Sequence, residues 1–460
     1  MSFPDLRAFL DHLEANGELA RVTDEVDPRF EISAWIRKTS DVGGPALLFE
    51  NVKGSEMRVA GGVFANPIKA LLALGTTDHA EAVQRFIEGI EHPIKPVVVS
   101  DAPCQEIVLT GDDVDLRRLP IPTYSEQDGG AFVTVGIGVS KTLDGVQNAG
   151  VYRMQYHDPK RLGLAASPYT DFDAIRVARE ATGETMEFAV AIGIDPAIHL
   201  ATQARVPFGI DEFAIAGGLR GEPVELVQCR TVDIQVPATS EIVLEGVFRP
   251  GVREPEGPFG EFSGYVGPGN DEPVFEVSAI TMRRDEIYQA GLTGVPVTEN
   301  HVMKGLPMEA QLLVTLRAAY PDVTAVSYSP EGGSEFLVVI ALRQRYAYEA
   351  RNVILAAMGS GGHPKMVVVV DDDVDIYDMT KVWWAILTRA QPDRDVLIVP
   401  RAAGGQLDPS APAPFVSSLL GIDATRPFGQ PFPEVVRIPG SDRVPDPRSL
   451  VRPPTTGDRS

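Results

Sequence analysis

The stretch Glu256-Gly-Pro-Phe-Gly-Glu261 interrupts a long region of predicted strands and sets two carboxylates five residues apart. Its Gly and Pro residues exclude a regular helix, so we interpret it as a loop that can direct both acids into one site. Earlier in the chain, the predicted strand Asn148-Ala-Gly-Val-Tyr-Arg153 offers an amide and a guanidinium at the same spacing. The two stretches together predict a network in which Arg153 lies between Glu256 and Glu261.

A simpler interpretation places these residues in hairpin turns, with each charge facing water. Exposed ion pairs contribute little to stability, so one Arg and two Glu do not by themselves define a site. The residue types alone leave both interpretations open.

The region around these stretches is rich in short strands separated by Gly and Pro. This pattern favours a β-barrel or a sandwich. One helix is expected to interrupt it, because Asp211 can cap an apolar run that begins at Ile210, with Glu212 in the first turn. The predicted strands are 131–140, 146–156, 186–194, 224–235, 241–248 and 273–282.

Helices and strands alternate on both sides of this region, which predicts two α/β units. In the second unit we expect helices at 307–319, 347–358 and 379–389, and strands at 335–343, 366–370 and 396–400. The predicted domains are an N-terminal α/β domain at 1–110, a central β domain at 111–300, a C-terminal α/β domain at 301–430 and an extended tail at 431–460.

Composition excludes several classes of function. The 64 acidic and 41 basic side chains give a formal net charge of -23, which would repel a nucleic-acid backbone. Two cysteines, Cys104 and Cys229, are too few for a disulfide framework. The first helix carries acids that targeting peptides lack, and apolar runs are too short to span a membrane. We therefore expect a cytoplasmic protein without nucleic-acid or membrane partners.

Over nearly its whole length the chain resembles the UbiD family of prenylated-flavin decarboxylases. The resemblance begins with Asn148, Arg153, Glu256 and Glu261 at the family's spacings. It implies an N-terminal α/β domain, a central split β-barrel like that of flavin reductases, and a C-terminal α/β domain. It continues through Glu212-Phe-Ala-Ile-Ala-Gly-Gly-Leu-Arg220, Val236-Pro-Ala-Thr-Ser-Glu-Ile-Val-Leu-Glu-Gly246, Lys365-Met-Val-Val-Val-Val-Asp371 and Trp384-Ala-Ile-Leu-Thr-Arg389.

The resemblance also implies roles for the network. Loss of CO2 from an unsaturated acid leaves electrons on carbon that no ordinary side chain can accept, and the family uses prenylated FMN as the acceptor. Glu261 would be the proton donor. Arg153 would engage the substrate carboxylate, and Glu256 would orient the guanidinium.

Family members bind a divalent ion, usually Mn2+, that bridges the flavin phosphate through an Asn, a Glu and a His. Asn148 and Glu212 match the first two ligands, but the histidine position falls near Thr170, where this chain has no histidine. Thr170, Asp171, water or no metal at all are the remaining possibilities for the third position. We expect a weaker site for Mn2+ or Mg2+, with K+ as a further candidate ion. The nearest histidine, His157, precedes Asp158-Pro159 in a predicted turn and is expected to be solvated.

Further cofactor contacts follow from the resemblance. Val151 and Tyr152 lie in the matching strand, and Lys365 matches a family lysine that reaches the flavin phosphate. Without the resemblance, Lys365 could equally be a lysine at the edge of a sheet. The acids from Asp371 to Asp375 are expected to cap or solvate a strand end and not to bind metal.

Position along the chain suggests which side chains line the substrate pocket. Phe262 follows Glu261, and the apolar run from Phe415 includes Leu419 and Leu420. His301 either lines the pocket or lies at a helix start without a chemical role. An aromatic and apolar lining favours a flat hydrophobic acid.

The leading hypothesis is a decarboxylase of an aromatic, heteroaromatic or α,β-unsaturated carboxylic acid, reversible under high CO2. The alternatives are a non-catalytic flavin-binding or assembly protein of the same fold and a metal-dependent hydrolase built on Asp371–Asp375, which lacks a histidine set. The expected partners are the small-molecule acid, a flavin prenyltransferase that supplies the cofactor, and further copies of the chain in a homodimer or a higher oligomer.

Overall fold

The computed structural model describes residues 2–168, 170–440, 443–445 and 447. The chain begins with a small α/β unit. Its first helix buries Leu6, Phe9, Leu10 and Leu13, as the spacing of these residues predicts, and the Asp5 side chain caps it. The elements are α1 (Leu6–Ala15), β1 (Leu19–Val22), α2 (Glu31–Asp41), β2 (Ala46–Phe49), β3 (Arg58–Gly61), α3 (Pro67–Ala73) and α4 (His79–Glu91).

The central region is mainly β-structure. Its first elements are β4 (Val97–Val99), β5 (Ile107–Thr110), β6 (Phe132–Lys141), β7 (Gln147–Asp158), β8 (Arg161–Leu164), α5 (Asp171–Thr182), β9 (Met186–Ile192), α6 (Pro196–Ala201) and α7 (Glu212–Arg220). They are followed by β10 (Glu225–Gln228), β11 (Gln235–Pro237), β12 (Ile242–Glu256), β13 (Phe259–Gly260), β14 (Val266–Gly267), β15 (Asn270–Met282) and β16 (Ile287–Gln289).

A closed barrel forms the middle of this region. Strands β12, β9, β6, β7, β8 and β15 follow one another in hydrogen-bonded order, and β12 also pairs with β15, which closes the ring. Strand β5 is not part of the ring and pairs with β15. The barrel confirms the predicted fold class, and it places Arg153 on β7 near the end of β12, where Glu256 lies. Strand β16 leaves the barrel and pairs with β3 in the N-terminal sheet.

The helices of the central region differ from the prediction of a single helix. Helix α7 has the predicted Asp211 cap, but α5 and α6 also occur. Helix α5 was missed because it buries only Phe172 and Ile175 and so has little apolar periodicity.

The C-terminal unit is an α/β sheet with helices packed on it. Its sheet has the order β17-β18-β19-β21-β20, in which β18, β19 and β21 are parallel. The elements are α8 (Glu299–Arg317), β17 (Val323–Tyr328), β18 (Leu337–Leu342), α9 (Glu349–Met358), β19 (Met366–Asp371), α10 (Met379–Arg389), α11 (Pro392–Asp395), β20 (Val396–Ala403) and β21 (Val416–Ala424).

Helix α8 begins eight residues before the predicted start at 307. Proline is favoured in the first turn of a helix and breaks helix interiors, so the local preference of Pro307 is for a helix start. In the structure Pro307 is buried inside the helix, and Thr298 and His301 form the capping box at the start. One apolar core joins α1, α3, α4, α8 and the C-terminal sheet, so α8 ties the two α/β units together.

The acids at the end of β19, expected to cap or to face water, pair instead with arginines. Asp371 contacts Arg389 at 2.6 Å and Arg426 at 3.2 Å. The predicted tail lies partly outside the described residues, and residues 431–440 form no helix or strand. Within the described part of the chain, every helix is too short or too polar to cross a membrane.

Candidate functional site

Arg153 lies between the two carboxylates that the sequence singled out. Its Nε donates to Glu256 Oε1 and its Nη2 donates to Glu256 Oε2, both at 2.9 Å. Its Nη1 donates to Glu261 Oε1. Burial lowers the pKa of Arg153, but the hydrogen bonds and charges of the two glutamates outweigh burial and raise it above its ordinary value. The guanidinium therefore remains a fixed cation.

The two carboxylates differ in their exposure. The side chain of Glu256 is fully buried, whereas 13% of the Glu261 side chain is exposed, as is 18% of Arg153. Glu261 lies in the turn that joins β13 to β14, and its N–H donates to Tyr265 O at 2.9 Å. The turn is a hairpin, as the simpler interpretation required, but its acid contacts Arg153 and is not free in water.

The segment that carries both acids is held by the barrel. Gln155 on β7 accepts from Gly257 N at 2.7 Å, and Asp128 accepts from Gly260 N at 3.0 Å. Gly267 is required beside Glu261, because an added Cβ would lie 2.9 Å from Glu261 Oε1. The Phe259 ring lies 5.1 Å from the Arg153 guanidinium. These contacts fix the network without help from a ligand.

His301 supports the same segment from α8. Its Nε2–H donates to Phe262 O at 2.7 Å, and its Nδ1 accepts from Thr298 N at 3.0 Å. The side chain is fully buried, and this burial lowers the pKa of His301 to about 4. Both ring nitrogens are engaged by the protein, so His301 occupies a helix start and holds the residue next to Glu261.

Asn148 and Glu212 meet at the other end of β7. Glu212 Oε2 accepts from Ala149 N at 2.9 Å, and Asn148 Nδ2 lies 3.4 Å from Glu212 Oε1. Burial raises the pKa of Glu212 to about 8. The buried Asn148 Oδ1 has no partner among the described residues. An unpartnered amide oxygen beside a buried carboxyl group fits a divalent cation, for which such oxygens are ordinary ligands.

Two helices begin near this end of β7. Thr170 caps α5, where its hydroxyl accepts from Asp173 N at 3.3 Å, and Asp171 is the first residue of that helix. Glu212 is the first residue of α7. Burial raises the pKa of Asp171. Helix N-termini offer free N–H groups and a positive dipole end, which suit a phosphate.

The third ligand of a metal site is not supplied by histidine here. His157 is not solvated as expected, because its side chain is only 11% exposed and its Nδ1 lies 3.1 Å from Glu254 Oε2. His157 on β7 thus pairs with Glu254 on β12. Across the described ranges, His, Cys, Asp and Glu residues form no group of three that could hold a metal.

One large cavity of about 880 Å³ connects these features. Its volume is in the range of natural cofactor and ligand sites. The cavity lies between the barrel and the C-terminal unit, so both contribute walls to it. Of the residues that the sequence suggested, it is lined by Asn148, Val151, Tyr152, Thr170, Asp171, Glu212, Phe262 and Phe415.

Arg153 and Glu261 adjoin the lining residues Tyr152 and Phe262 in the chain, and Glu256 is joined to them through Arg153. The five residue steps from Asn148 to Arg153 along β7 span about 16–17 Å. The ring of Tyr152 packs 5.1 Å from that of Phe172 in the barrel core. The strand therefore joins an oxygen-rich end of the cavity to the Arg153 network.

The remaining suggested residues lie elsewhere. Lys365 Nζ contacts Asp408 at 2.8 Å, and Lys365 and Leu420 line a separate cleft on the C-terminal unit. Leu419 is buried in the core shared with α8. The structure does not bring these three residues to the large cavity.

Several residues of the cavity wall were missed by sequence reasoning. Lys304 Nζ lies 2.7 Å from Glu335 and 4.8 Å from the centre of the Phe262 ring, and Arg205 lies 3.7 Å from Glu335. Gly361, Gly362 and His363 also line the cavity. The signal in the sequence that could have found them is the run Gly359-Ser-Gly-Gly362, which follows α9.

The comparisons with known proteins accord with this geometry. Three family models cover most of the chain: 3-octaprenyl-4-hydroxybenzoate carboxy-lyase N-terminal domain at residues 10–89, the Rift-related domain at 95–296 and the C-terminal domain at 301–424. An uncharacterised protein of Archaeoglobus fulgidus is 36% identical over 466 residues, which cover 95% of this chain and 96% of that protein.

Several solved structures share the fold over nearly the full length. The UbiD-class enzyme HmfF from Pelotomaculum thermopropionicum, in complex with FMN, is 40% identical with a TM-score of 0.91, covering 96% of this chain and 99% of that one. An evolved dimeric form of HmfF has been solved with prFMN. Vanillic acid decarboxylase from Sedimentibacter hydroxybenzoicus is 31% identical with a TM-score of 0.88, covering 96% and 98%.

The barrel, the two α/β units and the full-length similarity agree with one another. The solved relatives at this level of identity are named as UbiD-class enzymes or aromatic-acid decarboxylases. This chain therefore belongs to the UbiD family and is a carboxy-lyase of that class.

Proposed function

We propose that the protein decarboxylates an aromatic, heteroaromatic or α,β-unsaturated carboxylic acid with prenylated FMN as cofactor. The observation that carries this proposal is the Arg153 guanidinium held between buried Glu256 and partly exposed Glu261. An Arg that binds carboxylates and an acid that can deliver a proton are the two protein groups that decarboxylation requires beside an electron acceptor.

The large cavity would hold the cofactor. Asn148 and Glu212 would bind Mn2+ or Mg2+ at the phosphate, with K+ as a further candidate, and the N-termini of α5 and α7 would face the same phosphate. The unpartnered Asn148 Oδ1 supports this assignment. Prenylated FMN, when bound, supplies the acceptor for the electrons that CO2 leaves behind.

Arg153 would orient the substrate carboxylate. A guanidinium has five N–H donors, and the two glutamates use three of them. Two donors remain for the carboxylate of the substrate. Glu256 is fully buried and holds the guanidinium in one plane, so the remaining donors point in a fixed direction.

Glu261 would give the proton to the carbon that loses CO2. It is the more exposed of the two acids, and a single hydrogen bond to Arg153 holds it at the turn between β13 and β14. Its exposed oxygen can reach a substrate while Glu256 stays in place. His301 would act as a positioning residue, because it holds the Phe262 carbonyl next to Glu261.

The aromatic wall favours a flat acid. Phe262 and Phe336 lie 5.3 Å apart with their rings inclined at 34°, and both line the cavity with Phe415. Such rings stack on a planar substrate and keep water away from the carbon that receives the proton. Reversal under high CO2 uses the same groups.

The proposal extends to the cofactor supply, the cellular location and the oligomeric state of the protein. A flavin prenyltransferase would supply the cofactor. Buried free Cys104 and Cys229 accord with a reducing cytoplasm. Exposed Trp383, Leu387 and Ile398 on the C-terminal unit support a homodimer or a higher oligomer, since such side chains are favoured at interfaces.

The test is CO2 release from a panel of aromatic, heteroaromatic and α,β-unsaturated acids by protein that carries prenylated FMN. Release from at least one acid, lost when the flavin is removed, is the expected result. A protein fully loaded with cofactor that releases CO2 from none of these classes would favour the non-catalytic flavin-binding role.

A further inference from the structure

A second cavity, of about 100 Å³, lies where the N-terminal helices, α8 and the C-terminal sheet meet. It is far smaller than the 880 Å³ cavity and cannot hold a flavin. An apolar cavity of about 150 Å³ in another protein binds benzene, and a water takes about 30 Å³ in the liquid. The second cavity has about two thirds of the volume of that benzene-binding cavity, which limits a ligand to one small ring.

The walls of this cavity are mainly apolar. Five of its apolar residues come from three separate parts of the chain: Ala70, Leu71, Val302, Leu306 and Met379. Apolar walls gain free energy when an apolar ligand removes them from water.

One side of the cavity is formed by the paired side chains of His79 and Glu309 and by the ring of Tyr377. His79 Nε2 lies 2.6 Å from Glu309 Oε2, and the His79 ring stacks on Tyr377 with ring centres 3.9 Å apart. Glu309 is 2% exposed, and its other oxygen accepts from Tyr328 N at 2.9 Å. Glu331 also lines the cavity.

The charges of this wall select against an anion. Two of its described lining residues, Glu309 and Glu331, are acids, and its one basic residue in the described chain, His79, already pairs with Glu309. An acid substrate would place its carboxylate beside these groups without a free cation. A neutral ring avoids the free-energy cost of burying an unpaired carboxylate beside acids, and a hydroxyl on the ring could donate a hydrogen bond to Glu309.

Helix α8 forms a wall of both cavities. Val302, Gly305 and Glu309 face the small cavity, whereas Lys304 and Met308 line the large one. A ligand in the small cavity would therefore press on the helix that also carries part of the cofactor site.

We propose that the small cavity is a regulatory site for a neutral single-ring aromatic molecule, the chemical class of the decarboxylated product. This inference rests on the proposed function for its link to the product, but binding itself requires no activity. Occupancy would alter the position of α8 and so the retention of flavin. Coupling of this kind is reciprocal, so bound flavin would change the affinity for the ring by the same factor.

The test measures binding of phenol and of benzoate to flavin-free wild-type protein by calorimetry. We expect saturable binding of phenol and at least tenfold weaker binding of benzoate. Gly305→Ala, whose added methyl meets its first neighbour at 3.8 Å, should weaken phenol binding a few-fold, and Gly305→Leu at least tenfold. Val314→Leu, on the exposed face of α8, is the matched control and should bind phenol normally.

Equal binding of phenol and benzoate, or phenol binding unchanged in Gly305→Ala and in any folded Gly305→Leu, would overturn the site. The regulatory part is measured separately, as the rate of FMN release from FMN-loaded protein with and without phenol. A change of at least twofold, lost in the Gly305 variants, is expected. An unchanged rate would overturn regulation while leaving the decarboxylase proposal intact.

Discussion

The guanidinium of Arg153 meets the carboxylate of Glu256 side-on, with Nε and Nη2 each 2.9 Å from a different carboxylate oxygen. This two-bond arrangement fixes the plane of the guanidinium, which a single contact would not do. Because Glu256 is fully buried, the pair cannot rearrange by exchanging a bond for water. The direction of the remaining Arg153 donors is thus set by Glu256.

Replacement of Arg153 by Lys keeps the charge and removes the planar fork. We expect Arg153→Lys to lower kcat/KM for the acid by about 100-fold, because the substrate carboxylate and Glu261 both lose their fixed partner. The measurement is steady-state CO2 release, with flavin content determined in the same samples. Near-normal kcat/KM in the Lys variant would show that charge alone suffices and that the fork has no role.

Replacement of Glu261 by Gln keeps the size of the side chain and removes the acid. We expect Glu261→Gln to retain the cofactor and to lower turnover by about 10²–10⁴-fold, the usual contribution of a general acid. Glu254→Gln is the matched control, since Glu254 pairs with Arg161 and His157 and lies outside the network. Turnover of Glu261→Gln that matches the control would remove Glu261 as the proton donor.

Asn148 is expected to act on cofactor retention and not on the fold. Asn148→Ala removes the unpartnered amide oxygen beside Glu212, so the flavin and the divalent ion should both be lost more readily on gel filtration. Gln147→Ala, at the neighbouring position, should keep both. Flavin and Mn2+ contents are measured by absorbance and by elemental analysis, together with the thermal midpoint. Unchanged contents in Asn148→Ala would show that the metal site does not include Asn148.

His301 is expected to affect catalysis through the position of Phe262. Loss of its hydrogen bond in His301→Ala should lower kcat by up to about tenfold, the equivalent of one hydrogen bond, with little change in flavin content. His301→Gln, which can still donate an N–H, should lose less. The measurement is kcat and KM for acids with different ring substituents. A KM change that depends on the substituent would instead indicate direct contact with the substrate.

His199 provides a test of stability against pH. It is fully buried and donates to Val135 O at 2.9 Å, and burial lowers its pKa to about 4. The unfolded chain, with a histidine pKa of about 6.5, binds more protons between these values, so this stability is present above about pH 6.5 and is lost as pH falls towards 4.

At pH 5 the buried His199 lowers the free energy of unfolding of the wild type by roughly 2 kcal/mol relative to pH 7. His199→Asn removes this pH-dependent loss. The free energy of unfolding of the variant, measured in urea, should therefore lie closer to that of the wild type at pH 5 than at pH 7. A difference in the free energy of unfolding between variant and wild type that stays constant across this range would contradict the burial of a neutral His199.

The fold could be predicted from the sequence where local patterns and final packing agree. Helix α7 follows its Asp211 cap, and strand β7 follows its β-rich pattern. Helix α5 was missed because it fully buries only Phe172 and Ile175, so its apolar periodicity is weak. The start of α8 was misplaced because tertiary packing keeps Pro307 inside the helix against its local preference.

The site was predictable to a similar degree. The residue types left two interpretations open, and the resemblance to the UbiD family favoured the network of Arg153, Glu256 and Glu261, which the structure joins. The pairing of Lys365 with Asp408 and the meeting of Lys304, Arg205 and Glu335 depend on contacts between segments far apart in the chain. No pattern within one segment carries that information, so these contacts could not be predicted.

The most direct test of the central claim is mass spectrometry of the small molecules released from the protein after co-production with a flavin prenyltransferase. The proposed function predicts prenylated FMN at close to one molecule per chain, and a matched preparation of Asn148→Ala with clearly less. Wild-type protein without prenylated FMN under these conditions would contradict the claim that this chain is a prenylated-FMN-dependent decarboxylase.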